Sequence, residues 1–453
     1  MYQTPAAYQA PQEEKMTTTT DNDFNQQEYK RRIWGWTMYD WANSAFATTI
    51  MAAVLPVYYS SVAGANLPGN QATVYWGYTT SIALLIVAIV SPVLGAMADF
   101  RGAKKRYLTI FALIGIFGTT LLFFVYTGDW LKASVFFIIG NIGFAGANVF
   151  YDSLLPHVAK KEDIDQVSTR GYAMGYLGGG ILLAINLAMI MFFPDDLTPL
   201  MTRLSLLSVA IWWLLFTIPL WRRVPEPPRR IEAGEEYDNP LTAGFSRLGN
   251  TLRELTKYRE LLKFLIAFWL YSDGIGTIIK MATIYGAEIG IGQIDLIGTL
   301  LMVQFVGIPF SFAFGWLAKR IGTKQSIYLS LLVYTLISIG GYFMSTAIHF
   351  WLLGFAVAIV QGGSQALSRS LFGRMVPKSK SAEFFGFFSV SAKFAGIAGP
   401  LLFAIVGQYM GSSRLSIVSL IIFFLVGALL LSRVDEKEGI RVAEAEEESL
   451  VTA

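Results

Sequence analysis

An apolar run of about 20 residues can cross a hydrocarbon core about 30 Å thick. Once in lipid it must be helical, because no water is there to satisfy its backbone N–H and C=O groups. Twelve such stretches occur in this chain, near residues 34–63, 75–98, 107–126, 133–155, 168–193, 203–221, 262–287, 294–317, 325–345, 349–371, 383–409 and 414–432. They predict an all-α integral membrane protein with twelve transmembrane helices. Composition agrees: 54% of residues are hydrophobic and 15% charged, where soluble chains carry about 25% charged residues.

Lysine and arginine set the expected orientation. With the N-terminus cytoplasmic, 30 of the 35 fall in the tails, the even-numbered connections or the adjoining helix ends. Only Lys132, Arg203 and Arg414 fall on the other side, while Lys280 and Lys393 lie within spans. The positive-inside rule therefore places both termini in the cytoplasm. Residues 1–32 lack an apolar core, which excludes a signal peptide and suggests a disordered tail. Residues 433–453 read as an acidic, equally unstructured tail. Residues 33–221 and 262–432 would form two six-helix bundles. Between them, 222–261 is a polar linker in which Phe245, Leu248, Leu252 and Leu255 share one face of a predicted amphipathic helix.

The two halves look duplicated. Gly95, Ala98, Gly102 and Lys104 recur 220 residues later as Gly315, Ala318, Gly322 and Lys324. Pro156, Gly175 and Gly178 recur 221 residues later as Pro377, Gly396 and Gly399. Nearly one offset shared by two separate stretches argues for duplication of a six-helix unit. That layout resembles major facilitator transporters, built from parallel repeats around a midplane site. The first copy, "GAMADFRGAKK", also resembles that superfamily's loop signature, with Gly95, Met97, Ala98, Asp99, Gly102, Lys104 and Lys105 in register. Glycines there permit a tight turn and close helix approach. Asp99 is suited to latch the cytoplasmic side beside a helix terminus or a base. Lys319 replaces the aspartate in the second copy, so no equivalent latch is expected there.

Intramembrane charge is costly, about 2.5–3.5 kcal/mol on insertion scales, and so it faces protein or water rather than lipid. Span 1 carries Asp40, Asn43 and Ala47 on one face; span 4 carries Asn141, Ala145, Asn148 and Asp152. Span 7 aligns Asp273, Thr277 and Lys280; span 10 aligns Gln361, Gln365 and Arg369. Spans 3, 6, 9 and 12 carry little beyond serine and threonine. Polar stripes on every third helix predict a wet centre walled by spans 1, 4, 7 and 10, with 3, 6, 9 and 12 facing lipid. Candidate substrate or proton ligands are therefore Asp40, Asn43, Asn148, Asp273, Lys280, Gln361, Gln365 and Lys393. A permanent pairing of Asp40 with Arg31, Arg32 or another base at the cytoplasmic end is the structural alternative. Asp152 and Arg369, near cytoplasmic helix ends, join Gly95, Asp99, Gly102 and Lys104 as gating candidates. Small residues in "GYAMGYLGGG" and "GIAGP" suit close packing of spans 5 and 11 against 8 and 2.

"YDWANSAF" (Tyr39 to Phe46), "LPVYY" (Leu55 to Tyr59), "GAMADFRGAKKR" and "VFYDSLLPHVAKKE" resemble the vacuole-effluxer-like family of the major facilitator superfamily. The resemblance implies secondary transport, with fungal members associated with efflux of neutral amino acids such as leucine. The compact outer loops, and the absence of any N-x-[ST] glycosylation acceptor, favour a bacterial-type member in a plasma membrane.

Other classes fit poorly. A net charge of +3 is too small to suggest nucleic acid, and there are no cysteines. The two histidines, His157 and His349, are scattered, so no metal or other cofactor is expected. No phosphate-binding G-x-x-x-x-G-K-[ST] occurs, against an ATP-driven pump, and no clustered nucleophile and base suggests an enzyme. The expectation is a monomeric secondary transporter of a small polar solute, with amino acids as one candidate class and protons as the candidate coupling ion. The competing expectation is a transporter-like receptor or scaffold.

Overall fold

The computed structural model describes residues 18–68, 102–194, 196–227, 257–289, 291–394, 398–410 and 413–452, with isolated positions between 75 and 98 and at 396. The first helix, α1 (Thr18–Ala45), runs on through π-helical turns (Phe46–Ala53), α2 (Val54–Tyr58) and a second π segment (Tyr59–Ala63). Pro56 lies in α2; it has no N–H to donate, and its ring crowds the carbonyl four residues back. The widened turns flank this proline, with the Val54 N–H reaching Thr49 O.

The first half continues with α3 (Lys104–Leu121), α4 (Trp130–Ser153), a single turn at Leu155–Val158, α5 (Ile164–Phe192) and α6 (Thr198–Arg223). The second contains α7 (Arg259–Glu288), α8 (Gln293–Ile321), α9 (Thr323–Tyr342), α10 (Ala347–Met375) and α11 (Ser381–Phe394). It ends with α12 (Ala398–Met410), α13 (Ser413–Ser419), α14 (Ile421–Ser432) and α15 (Glu436–Thr452). Among the described residues, nine helical segments are long and apolar enough to cross a membrane, covering expected spans 3 to 10 and 12. Span 1 is the later part of α1 with its π-helical extension. Span 2 and the predicted linker helix lie largely or wholly outside the described residues, and span 11 is described as α11 and α12.

Two hydrophobic cores form. One gathers around Trp36, Phe46, Phe150 and Trp213, the other around Phe264, Tyr271, Tyr334 and Phe372. Ala382, from the second half, joins the first core. Packing between halves runs through α5 against α8 and α10, and α4 against α11. The apolar residues Phe117 of α3, Leu215 of α6, Leu332 of α9 and Leu429 of α14 are exposed, as lipid-facing side chains should be.

The duplication has a structural counterpart. Gly102 (φ 60°) and Gly322 (φ 96°) both adopt the left-handed conformation in the turns leading into α3 and α9, where a Cβ would be strained. After those turns, Lys105 Nζ donates to Trp221 O (2.7 Å) in the last turn of α6, and Lys324 Nζ to Ser432 O (3.4 Å) at the end of α14 and to Val434 O (2.7 Å) just past it. A cation at the last carbonyls of a helix offsets its negative end.

Two segments expected to be unstructured are helical. Within 1–32, α1 begins at Thr18. Tyr29 fixes this segment, donating to Asp163 Oδ2 (3.0 Å) and accepting from Lys160 N (3.1 Å). Within the acidic 433–453 segment, Glu436–Thr452 form α15, whose carboxylates pair with Lys161, Lys257, Arg374 and Lys380. Composition reports the charge of a segment but not the presence of complementary partners.

Candidate functional site at the seam between the halves

Small residues let α10 enter the seam: Gly362, Gly363, Ser364, Ala366, Ser368 and Ser370 are all buried. They bring Arg369, only 2% exposed, to the first half. Its Nε donates to Ser168 Oγ (2.9 Å), Nη2 to Ser168 O (2.8 Å) and Nη1 to Asp152 Oδ1 (3.0 Å). Asp40 Oδ2 lies 3.6 Å from the same Nη1 and accepts from the Tyr151 hydroxyl (2.7 Å). The guanidinium carbon lies 4.5 Å from the Tyr172 ring centroid and 5.1 Å from that of Trp36, a cation–π setting. A Cβ on Gly171 would fall 2.4 Å from Asp40 Oδ2 and 3.0 Å from Arg369 Nη2, so the cluster needs glycine there. Among the described residues, this cluster holds two carboxylates and one guanidinium. Asp40's partner is therefore a base from the opposite half, not Arg31 or Arg32.

A second layer lies toward the end where α1 begins and α15 lies. Asp165, in the first turn of α5, accepts from Ser370 Oγ (2.5 Å) and Thr323 Oγ1 (2.7 Å) and pairs with Arg374. Lys104, 4% exposed, donates to Lys378 O (3.0 Å) in the other half and lies 3.1 Å from His157 Nε2. A Cβ on Gly95 would fall 2.2 Å from Ala382 O, so the backbones nearly touch there. Thus Gly95, Lys104, Asp152 and Arg369, read as gating candidates, all sit at the seam, whereas Gly102 shapes the turn before α3. Asp99 lies outside the described residues.

Away from this end the helices carry both neutral and charged polar residues. Asn43 Nδ2 donates to Asn148 Oδ1 (2.5 Å), tying α1 to α4. Gln361 and Gln365 are half-buried on α10. Asp273, 1% exposed, packs in the second half beneath α12, where a Cβ on Gly399 would fall 2.7 Å from its Oδ1. It is not part of the Arg369 cluster. Lys280 and Lys393 lie in α7 and α11, and their side chains are outside the described set. Sequence reading missed Tyr151, Asp165, Ser168 and Arg374. Asp165 and Arg374 stood in stretches read as connections, and a serine at the start of a span, as Ser168 is, carries no signal of its own.

The sequence profile of the family described as "Vacuole effluxer Atg22 like" matches residues 28–444. The chain belongs to this family. "Uncharacterized MFS-type transporter YxiO" of Bacillus subtilis is 40% identical over 414 residues, covering 90% of this chain and 96% of the relative. "Autophagy-related protein 22-1" of Penicillium rubens is 23% identical, covering 92% of each chain. The Atg22-like fold is the major facilitator fold: the proton:xylose symporter XylE superposes with a TM-score of 0.69 at 15% identity, covering 94% of this chain and 99% of XylE. FucP in its outward conformation superposes with a TM-score of 0.66 at 12% identity, covering 90% and 98%. The protein is a multi-pass integral membrane protein of a transporter family.

Proposed function

We propose that this Atg22-like protein is a secondary transporter that moves a small polar solute, amino acids first among the classes to test, by alternating access. The carrying observation is Arg369: one buried guanidinium from the second half holds Asp40 and Asp152 of the first, at one end of the seam. A joint of that kind closes one side of a path while the other stays reachable, and breaking it opens the closed side. The basic residues of that end support a cytoplasmic assignment for it and for both termini. The Bacillus relative supports a bacterial plasma membrane.

Two carboxylates meeting on one guanidinium across the seam support proton coupling. Asp40, which faces Arg369 across the seam and accepts from Tyr151, is the candidate proton site. Asn43, Asn148, Gln361 and Gln365 supply neutral polar wall toward the opposite end, and Asp273, Lys280 and Lys393 are the deeper candidates for holding charged ends of the solute.

The test is exchange in liposomes. Purified protein should exchange a labelled solute found by thermal-shift screening across amino acids, dipeptides, sugars and nucleosides, because a ligand stabilises the state it binds. An imposed proton gradient should drive accumulation, and Asp40→Asn should leave exchange uncoupled from it. No movement of any stabilising solute would reject transport.

A further inference from the structure

The acidic helix α15 crosses the seam at the end where α1 begins. It has 17 residues, about 26 Å of helix at 1.5 Å per residue. Its start is fixed by the second half, where Asp435 N donates to Glu260 Oε2 (2.8 Å). Glu436 Oε1 lies 3.1 Å from Arg374, the arginine that also pairs with Asp165 of the first half. Farther along, Glu446 pairs with Lys257 and, at 3.1 Å, with Lys380, and Glu447 accepts from Ser379 N (2.7 Å). Glu444 reaches the other way and pairs with Lys161 of the first half. Glu436, Gly439, Ala443 and Glu446 fall at i, i+3, i+7 and i+10, one face of the helix. A Cβ on Gly439 would fall 2.7 Å from Met375 Sδ, so that face lies close on the end of α10.

Beneath α15 is a cavity of about 750 Å³, walled by Pro156, Ala159 and Ile164 of the first half, Gly373 and Val376 of the second, and Ala443 of α15 itself. The helix is rooted in one half and tied to the other over a gap. Parting the halves at this end breaks the Glu444–Lys161 tie and strains the Glu436–Arg374–Asp165 chain.

We infer that α15 is a strap that favours the state closed at this end, and that its release raises the population open there. The inference rests on the alternating-access reading. Lys161 and Glu444 are 59% and 48% exposed, so their own contribution is modest and salt-sensitive. The buried Glu446–Lys380 pair keeps the strap with the second half throughout.

The chain's lack of cysteine makes a direct test available. Ala366 is fully buried where Ser168 donates to its carbonyl (2.8 Å), and it lies nine residues inside Met375, about 13 Å deeper than the surface α15 covers. Ala366→Cys in the purified full chain should react slowly with a water-soluble maleimide. Ending the chain after Asp435 should raise that rate at least severalfold, and Lys161→Glu by about two- to fivefold at low salt. Combining Lys161→Glu with Glu444→Lys should return the parent rate. If the truncated chain fails to fold, the single-site and swapped variants decide alone. Arg369→Ala in the same background reports whether the seam opens at all. Faster labelling in that variant with unchanged rates on strap release overturns the strap alone. No acceleration in any variant overturns both the strap and alternating access.

Discussion

Arg369 Nη1 stands 3.0 Å from Asp152 Oδ1 and 3.6 Å from Asp40 Oδ2, one guanidinium shared by two carboxylates across the seam between the halves. The two aspartates come from different helices of the first half, so the arginine fixes α1 relative to α4 as well as closing the seam. This relationship makes the cluster sensitive to both the number and the shape of its charges.

Arg369→Ala leaves two partly buried carboxylates without their shared cation. Breaking a buried pair costs about 3–5 kcal/mol, so the thermal midpoint of the purified protein should fall and the seam should open. Arg369→Lys keeps the charge but cannot reproduce the fork that engages Ser168 and Asp152 together. It should recover only part of the midpoint. Full recovery by lysine would mean that charge alone matters.

Asp273 lies deep in the second half, backed by Gly399 and by Thr277, whose hydroxyl donates to the Asp273 carbonyl (2.7 Å). Asp273→Asn preserves shape and removes a charge. Solute exchange should drop by about tenfold, the equivalent of about 1.4 kcal/mol, while the chromatographic profile stays that of folded protein. Normal exchange would assign Asp273 a structural role.

Two glycines make a contrasting pair. A Cβ on Gly143 would meet Gly115 N at 2.1 Å, backbone against backbone between α4 and α3. Gly143→Ala should therefore destabilise by about 1–3 kcal/mol through overpacking. Gly276 has nothing within 4 Å of such a Cβ, so Gly276→Ala should be neutral or stabilise by up to about 1 kcal/mol through lost chain entropy. Thermal denaturation of the two variants side by side checks the difference.

Glu446 predicts how docking of α15 responds to acid. Burial acts to raise its pKa, but the hydrogen bond from Lys257 and the charge of Lys380 outweigh it, leaving the carboxyl below its ordinary value of 4.5. A group depressed on folding contributes fully above its unfolded value and loses that contribution as pH falls through the folded one. Protection of α15 from proteolysis or hydrogen exchange should thus hold from neutral pH down to about 5 and decline below about 4. Glu446→Gln should weaken protection at neutral pH and flatten the decline.

The sequence by itself determined that this chain lives in a membrane as a duplicated helical bundle. Apolar runs of spanning length leave the backbone no alternative to helices, and the repeated glycines of the two turns sit at positions whose backbone excludes most other residues. It also singled out Asp40, Asp152 and Arg369, because a charge inside or at the end of a span is costly enough to require a reason. Tertiary structure alone decided which charges meet. Asp40 and Arg369 are more than three hundred positions apart in the chain, and helical periodicity fixes the face of a residue but not the helix opposite. The same limit hid Ser168 and Asp165, whose importance comes from what α10 brings to them, and it hid α15. Its acids look like a solvated tail until the basic residues gathered at the closed end of the seam give them something to hold.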